Sequence, residues 1–156
     1  MKFSKLILTI GIPGSGKTTW VKKYMKKHPL TYIISTDDIR RELTGTEQCV
    51  DPSQNDMIHN EARKRVKAIL EDPNSKGGLG PEIIVDSTNV SVGEWRKYKE
   101  LGPSIMLAKI FNITPEQAMI NQLGRERKVP FEILQMKHRQ FQESKPFLTL
   151  YFNMIM

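Results

Sequence analysis

Short apolar runs alternate along this chain with longer segments in which apolar residues recur every three or four positions. The runs span residues 5–10, 31–35, 82–86 and 105–111, and their β-branched residues predict buried strands. The periodic segments between them predict amphipathic helices. Strands that alternate with helices predict an α/β fold, with a central parallel sheet of four or five strands and helices on both faces.

Polar residues mark where several of these helices begin. Ser53 and Asp56 form a capping-box pattern ahead of a helix that continues to about residue 70. Ser91 and Glu94 form the same kind of start ahead of the next helix. Thr114 is followed by a proline, which suits the first position of a helix. We therefore predict three helix starts after the second strand from local side chains alone.

The apolar positions also predict which side of a helix faces the core. In the helix over residues 17–27, Trp20, Val21 and Tyr24 are expected to turn inward. In the last long helix one face carries Phe131, Leu134, His138 and Phe141. The tail after Pro146 is apolar, and it either adds an edge strand to the sheet or packs against the core.

Length and composition narrow the class of protein. A chain of 156 residues predicts one domain over residues 1–156. No apolar stretch reaches the length needed to span a membrane, and the N-terminal apolar run leads into a glycine-rich loop instead of a signal-peptide cleavage site. Cys49 is the single cysteine, so no intrachain disulfide is expected and a reducing, cytoplasmic location fits.

The charge balance is basic. Lys and Arg total 24 against 17 Asp and Glu, which gives a formal net charge of +7. This excess favours a polyanionic partner such as a nucleic acid. Solubility, or the need to hold nucleotide phosphates, would explain the same excess, so charge alone leaves nucleic-acid binding open.

The strongest chemical signal is the stretch from Gly11 to Thr18, here called the phosphate loop. It fits G-x-x-x-x-G-K-[ST] in full and follows the first strand. Its glycines let the backbone N–H groups converge on one phosphate, and a helix that begins near Gly16 adds its positive end. Lys17 can bridge the β- and γ-phosphates of ATP or another nucleoside triphosphate, and the Thr18 hydroxyl can bind Mg²⁺. We assign nucleotide binding to Gly11, Pro13, Gly14, Ser15, Gly16, Lys17, Thr18 and Thr19.

A carboxylate and an arginine follow the second strand. Asp37 and Arg40 lie three positions apart, so they share a face if a helix begins there. Ligands bind at the carboxyl ends of parallel strands, which puts both residues on the rim that carries the phosphate loop. Asp37 could accept a proton from an attacking hydroxyl, and Arg40 could bind a phosphate. Alternatively, Asp37 caps the helix and Arg40 is a surface charge, and Asp38 offers the same chemistry as Asp37.

Two further features extend the predicted site. Asp86 ends the third strand and is expected to hold a metal-bound water or the hydroxyl of the phosphate loop, with a turn cap as the alternative. A basic stretch over residues 124–130 contains Arg125, Arg127 and Lys128. We predict a lid that closes over the γ-phosphate and excludes water, with a solvated charged loop as the alternative.

The three histidines show no metal-ligand spacing, and we assign them no chemistry. His59 lies in a polar part of its helix. His138 lies on an apolar stripe, where a core position is expected.

Four segments of the chain carry a family resemblance. They are residues 8–20, Asp37-Asp38-Ile39-Arg40, Asp86-Ser87-Thr88-Asn89, and the arginine-containing lid that leads to Val129-Pro130. Together they resemble the kinase domain of phage polynucleotide 5′-hydroxyl kinases. The resemblance covers roughly residues 4–143, and its most specific parts are the first block and the Asp-Asp-x-Arg element.

The resemblance implies a P-loop kinase fold in which the phosphate loop handles ATP and Mg²⁺. It implies that Asp37 is the general base, that Arg40 binds a phosphate of the acceptor, and that a lid arginine engages the donor phosphates. Arg125 matches the motif position for that last role, and Arg127 is the alternative. The family often carries a 3′-phosphatase domain, whose D-x-D-x-[TV] pattern is missing here, so no phosphatase activity is expected.

These inferences predict ATP-dependent transfer of the γ-phosphate to a hydroxyl of a nucleic acid, foremost the 5′-hydroxyl end of DNA or RNA. A kinase of hydroxymethylated bases in phage DNA and a small-molecule or nucleoside kinase use the same chemistry and stay open. An ATP-hydrolysing switch or motor is the alternative of a different class, although such proteins usually need a glutamate after Asp86 and here Ser87 follows. Association into a homo-oligomer stays open, and a phage-encoded chain would act in the host cytoplasm.

Overall fold

A five-stranded parallel sheet forms the centre of the protein. The computed structural model describes residues 2–49, 51–125 and 128–156. The strands lie in the order β2-β3-β1-β4-β5, and every neighbouring pair is parallel. They are β1 (Lys5–Ile10), β2 (Tyr32–Ser35), β3 (Glu82–Asp86), β4 (Ile105–Ile110) and β5 (Met154–Ile155). The predicted α/β class is confirmed.

Helices connect these strands and cover the sheet. The α-helices of the described residues are α1 (Lys17–Lys27), α2 (Thr36–Thr44), α3 (Asn55–Glu71), α4 (Val92–Lys99), α5 (Pro115–Asn121), α6 (Phe131–Ser144) and α7 (Leu148–Tyr151). Short 3-10 helices at Pro52–Gln54 and Lys145–Phe147 precede α3 and follow α6. None of these helices is long and apolar enough to cross a membrane.

Two of the three predicted helix starts are confirmed. The Ser91 hydroxyl accepts a hydrogen bond from the backbone N–H of Glu94 at 3.3 Å, and Thr114 does the same for Gln117 at 3.1 Å. The capping box at Ser53 is wrong. The Asp51 carboxylate accepts the Ser53 hydroxyl at 2.7 Å and its backbone N–H at 3.0 Å, so the Ser53 hydroxyl is already engaged.

The wrong start has a local cause. Pro52 has a fixed φ and lacks an N–H, so it suits the first position of a helical turn. Asp51 therefore becomes the cap of a 3-10 helix over Pro52–Gln54, and α3 begins one residue later, at Asn55. The expected amphipathic helix exists, but a different residue caps the turn before it.

The sheet buries an apolar layer on each face. One layer joins β1, β3 and β4 to α3, α4 and α6, through residues such as Leu8, Val66 and Trp95. The other joins Ile7 and its neighbours on the sheet to Val21 of α1, with Trp20 and Tyr24 partly buried against it. A smaller cluster packs the phosphate loop against α5 and α6, and consists of Ile12, Ala118, Val129 and Leu134. Helices on both faces thus hold the carboxyl edge of the sheet in place.

The last helix and the tail refine two expectations. His138 is half-buried and contacts Gln142 at 3.3 Å on an exposed part of α6, so the expected core position is wrong. The reason is that α6 has a narrow buried stripe, of which Leu134 and Phe141 are the apolar members. The apolar tail takes both of its predicted roles, because Phe152 packs on Trp95 at a ring distance of 5.3 Å and β5 extends the sheet.

Side chains tie the end of β3 to the end of β1. The Asn89 side chain donates to the backbone carbonyl of Thr9 at 2.9 Å, and the Thr9 hydroxyl donates to the carbonyl of Ser87 at 2.9 Å. The Gly11 N–H donates to the carbonyl of Thr88 at 3.0 Å. Asn89 is 3% exposed and has φ +46°, a left-handed conformation that asparagine tolerates better than most residues.

A pair of substitutions separates the two roles of Asn89. We expect Asn89→Gly to lower the free energy of unfolding by about 1–3 kcal/mol, because the buried carbonyl of Thr9 loses a donor while the backbone conformation stays accessible. Asn89→Ala should cost about 1–2 kcal/mol more, since alanine also resists the left-handed conformation. Urea denaturation measures both values. Equal stability of the two variants would contradict the backbone part of this argument.

Candidate active site

The register of the sheet brings three distant segments to one edge. Ser35 at the end of β2 pairs with Asp86 at the end of β3, and β1 between β3 and β4 leads into the phosphate loop. The Thr36 hydroxyl then donates to the Ser87 hydroxyl at 3.0 Å, which joins the start of α2 to the end of β3. A cleft of about 910 Å³ opens above this edge. Its size suits a nucleotide together with part of a second substrate.

The phosphate loop needs its glycines for backbone conformation and for close packing. Gly14 and Gly16 have φ values of +85° and +95°, which L side chains rarely adopt. A Cβ at Gly14 would lie 2.8 Å from the carbonyl oxygen of Ala118, so the loop packs directly on α5. Gly16 is the N-cap of α1, which leaves the first N–H groups of that helix directed at the loop.

The ammonium group of Lys17 is hydrogen-bonded to the backbone of this loop. Its Nζ donates to the backbone carbonyls of Gly11 at 2.8 Å and Ile12 at 2.9 Å. The ammonium group lines the cleft together with Asp37. The loop thus combines N–H donors, the positive end of a helix and an ammonium group, the three features that bind a nucleotide phosphate.

Thr18 and Asp86 form the part of the site that suits a divalent cation. The Thr18 hydroxyl donates to Asp86 Oδ2 at 3.1 Å. Burial raises the pKa of Asp86, and the Lys17 charge and the Thr18 hydrogen bond only partly oppose this. A hydroxyl and a carboxylate whose negative charge is poorly compensated fit Mg²⁺, which binds oxygen ligands and keeps several of its waters. The described residues include no cluster of three metal-ligating side chains, so nucleotide phosphates and water would supply the other ligands.

Helix α2 separates the two neighbouring aspartates. Ser35 is the cap of this helix, because its hydroxyl accepts the Asp38 N–H at 3.2 Å. The alternative in which Asp37 caps the helix is therefore wrong. Asp37 is half-buried and lines the cleft, whereas Asp38 is exposed and pairs with Arg41 at 3.0 Å.

Arg40 lies one turn further along α2 and is 7% exposed, so the alternative of a surface charge is also wrong. Its Nη2 donates to Asn55 Oδ1 at 2.7 Å, while its Nε and Nη1 have no hydrogen-bond partner among the described residues. Unpaired buried N–H groups of a guanidinium are costly. Because Arg40 lines the cleft, an anion bound there would supply the missing acceptors.

The predicted lid lines the same cleft as α2. Its residues 124, 125 and 128–130 are described, and Arg127 lies outside the described residues. Arg125 is exposed and lines the cleft. The Gln122 side chain accepts the Val129 N–H at 2.8 Å and donates to the Val129 carbonyl at 3.0 Å, which closes the base of the lid. Asn121 donates to the carbonyl of Gly14 at 2.9 Å and so connects α5 to the phosphate loop.

Sequence reasoning missed several residues that line the cleft. Asn55 and His59 come from α3, Gln122 from the end of α5 and Lys137 from α6. The pKa of His59 is lowered, mainly by burial and further by the nearby positive charges of Arg63, Lys137 and Arg40, with Glu94 opposing. Burial also lowers the pKa of Lys137. No local motif marks these positions, because each depends on how distant helices pack.

The residues that line the cleft fall into two groups, which we name after the roles proposed for them below. We call the phosphate loop, Asp86 and Arg125 the donor half. We call Arg40, Asn55, His59 and Lys137 the acceptor half. Asp37 is one turn before Arg40 on α2 and also lines the cleft. A site that combines an anion-binding loop, a buried arginine and a carboxylate can transfer a phosphoryl group.

A family model described as an AAA domain matches residues 6–145. The chain belongs to the AAA domain family. Its parallel sheet with helices on both sides is the P-loop kinase fold, and the family implies use of a nucleoside triphosphate.

Curated relatives match a shorter part of the chain. Over 85 residues, or 54% of this chain, it is 34% identical to an adenylate kinase of Thermococcus kodakarensis and 33% identical to an adenylate kinase of Pyrococcus abyssi. The matched part covers only 30% and 31% of those proteins, so it spans less than a third of their length.

Solved structures share the fold at low identity. A chain of the Pnkp1/Rnl/Hen1 RNA repair complex matches with a TM-score of 0.75 and 20% identity, over 94% of this chain and 46% of that one. A second structure of the Pnkp1/Rnl/Hen1 complex matches with a TM-score of 0.62 and 23% identity, over 83% and 41%. A gluconokinase from Sinorhizobium meliloti 1021 gives a TM-score of 0.62 and 13% identity, over 93% and 79%.

The raised pKa of Asp86 gives a prediction for stability. A carboxyl group whose pKa is higher in the folded state than in the unfolded state stabilises the fold below its unfolded pKa and loses that contribution as the pH rises. At pH 7 the charged Asp86 therefore lowers stability, so the ligand-free Asp86→Asn variant should be more stable than the wild type. Urea denaturation from pH 4 to pH 7 should show this difference growing with pH. Parallel curves for the two proteins would contradict it.

Proposed function

We propose that this protein is a kinase that transfers the γ-phosphate of ATP to the 5′-hydroxyl end of a DNA or RNA strand. One observation carries the proposal: a single cleft is lined by a complete phosphate loop, by Asp37 and by the buried Arg40, two of whose nitrogens have no hydrogen-bond partner among the described residues. The RNA repair complex among the structural neighbours adds support at the level of the fold. A nucleic-acid acceptor also agrees with the net charge of +7.

The proposed reaction uses the groups that line the cleft. The phosphate loop and Lys17 bind the β- and γ-phosphates, and Arg125 approaches them from the lid side. The acceptor hydroxyl oxygen attacks the γ-phosphorus, the bond to the β–γ bridging oxygen breaks, and ADP leaves with that electron pair. Asp37 accepts the hydroxyl proton and later releases it to water. Correct positioning of the two substrates supplies much of the rate acceleration.

Thr18 and Asp86 are the residues that would hold Mg²⁺, directly or through its waters. The ion neutralises negative charge on the triphosphate when it is bound. Without it, the buried carboxylate of Asp86 has its charge only partly compensated by Lys17 and Thr18. A cation at this position would therefore improve the electrostatics of the protein as well as those of the nucleotide.

The acceptor half is suited to a phosphate next to the reacting hydroxyl. Two nitrogens of Arg40 need acceptors, and one phosphate group offers several oxygens. His59 and Lys137 line the same half and add further donors. A strand end presents a hydroxyl and a phosphate within one nucleotide, which matches the neighbouring positions of Asp37 and Arg40 on α2.

Phosphorylation of a small molecule is the second candidate. The adenylate kinase relatives and the gluconokinase neighbour favour it, because their names describe kinases of small acceptors. A kinase of hydroxymethylated bases would use the same donor half. An ATP-hydrolysing switch is disfavoured, because Asp37 and Arg40 would have no acceptor to bind.

An acceptor panel tests the proposed function. Radiolabelled γ-phosphate should appear on 5′-hydroxyl oligonucleotides of DNA or RNA faster than on hydroxymethylated duplex DNA, free nucleosides, AMP or gluconate. ATP consumption should also rise when a strand is added. Transfer to AMP or gluconate alone would replace the proposal with a small-molecule kinase, and equal ATP turnover with and without any acceptor would indicate an ATPase.

A matched pair of variants tests the general base. We expect Asp37→Asn to lower kcat by about 10²–10⁴-fold, because the amide cannot accept the hydroxyl proton. Binding of ADP, measured by calorimetry, should be retained. Asp38→Asn changes the neighbouring exposed carboxylate and should keep kcat close to that of the wild type. The reverse pattern would assign the base to Asp38.

A further inference from the structure

Helix α3 extends the polar lining of the cleft along one flank. Asn55 and His59 line the acceptor half, and Arg63 and Lys67 continue the same row at four-residue intervals. Side chains four apart lie next to each other on one face of a helix. At 1.5 Å per residue, the row from Asn55 to Lys67 is about 18 Å long. It leads from the acceptor half of the cleft to an exposed part of the surface.

The outer part of this row borders a second depression. Between α3 and α4 lies a shallow groove of about 370 Å³. Its cationic residues are Arg63, Lys64, Lys67 and Lys97, and we call this set of residues the lysine groove. Asn60, Leu101 and the acidic Glu100 complete its lining. The groove therefore has an excess of positive charge.

The ion pairs around the groove leave most of that charge available. Arg63 pairs with Glu94 of α4 at 3.1 Å, which holds the two helices together. Lys67 is 3.9 Å from Glu71, and both side chains are more than 60% exposed, so this pair contributes little. Lys64 and Lys97 are exposed. An anionic ligand could therefore bind Lys64, Lys67 and Lys97 without breaking a strong ion pair.

The opposite flank of α3 differs. There Arg65 pairs with Glu42 of α2 at 2.7 Å and with Glu61 at 3.1 Å, so its charge is balanced within the protein. The excess charge of α3 thus lies on the side next to α4. A polyanion that extends out of the acceptor half would therefore be attracted to only one side of α3.

We propose that the lysine groove binds the sugar-phosphate backbone of the acceptor strand beyond its terminal nucleotide. This inference rests on the proposed function and extends it to the strand as a whole. Lysine ammonium groups are flexible point charges that suit a backbone of repeated phosphates. The residues described along the groove include no aromatic side chain on which a base could stack, so the contact should be independent of base sequence.

The test compares acceptors of increasing length. For the wild type, kcat/KM should rise from a nucleoside 3′-phosphate to single strands of 4, 8 and 16 nucleotides, tested as probes, and this rise should weaken with salt. In the groove variant, the triple substitution Lys64→Ala/Lys67→Ala/Lys97→Ala, kcat/KM should no longer rise with the length of the acceptor. Its kcat/KM for the nucleoside 3′-phosphate should stay unchanged. Loss of three phosphate contacts should reduce the slope of log K against log salt by about 2.

The matched control removes three charges elsewhere. Lys23, Lys26 and Lys27 are exposed lysines of α1 that do not line the cleft. The triple alanine variant at these positions has the same net charge as the groove variant, and it should keep the length dependence. Equal losses in both variants would mean a general charge effect and would overturn the proposal. Wild-type length dependence in the groove variant would overturn it too.

Binding measured without chemistry separates this inference from the proposed function. Fluorescence anisotropy of a labelled 16-nucleotide single strand should show weaker binding to the groove variant than to the α1 control. If the groove variant binds the strand more weakly than the α1 control does, but the wild type phosphorylates no strand end, the proposed function is wrong and the proposed binding of strands by the lysine groove is supported. If the wild type phosphorylates strand ends but both variants bind the strand equally well, the proposed function is supported and the proposed role of the lysine groove is wrong.

Discussion

Two charged groups, Asp86 and Arg40, are buried beside the cleft with fewer partners than their charges require. Burial disfavours the carboxylate of Asp86, and two nitrogens of Arg40 have no acceptor among the described residues. Such groups lower the stability of a ligand-free protein. A cation beside Asp86 and an anion beside Arg40 would remove both costs, so ligands of opposite charge at these two positions would stabilise the protein.

The fold must hold these groups in place despite their cost. It does so with hydrogen bonds between the loops at the carboxyl edge of the sheet, from Asn89 to β1 and from Thr36 to Ser87. Gln122 and Asn121 tie the lid and the phosphate loop to α5 in the same way. These bonds connect the loops to the strands and to each other, so the buried sheet positions the site.

The sequence was sufficient to predict the sheet and the phosphate loop because both are encoded locally. Strands β1 and β3 are apolar runs buried on both faces, and their observed bounds equal the predicted ones. The choice between Asp37 and Asp38 could not be made in this way. It depends on Ser35, whose capping bond sets the first turn of α2 and thereby turns one aspartate to the cleft and the other to Arg41.

Other parts of the site were beyond local reasoning. His59 and Lys137 are separated by 78 positions in the chain, and only the packing of α3 and α6 brings both to the cleft. Pro52 changed the start of α3 because a single fixed φ outweighed a capping pattern one residue later. The base of the predicted lid could not be predicted either. It is held by hydrogen bonds between Gln122 and Val129, and neither residue belongs to a recognisable sequence motif.

The two halves of the cleft are also physically coupled. Burial is the main reason that the pKa of Asp86 is raised, and the neighbouring carboxylates of Asp37 and Asp38 raise it further, so these side chains share one electrostatic environment. A cation at Asp86 would weaken the repulsion between these carboxylates. A ligand that carries a phosphate would give the buried guanidinium of Arg40 the acceptors that it lacks among the described residues, whereas water alone brings no negative charge to it.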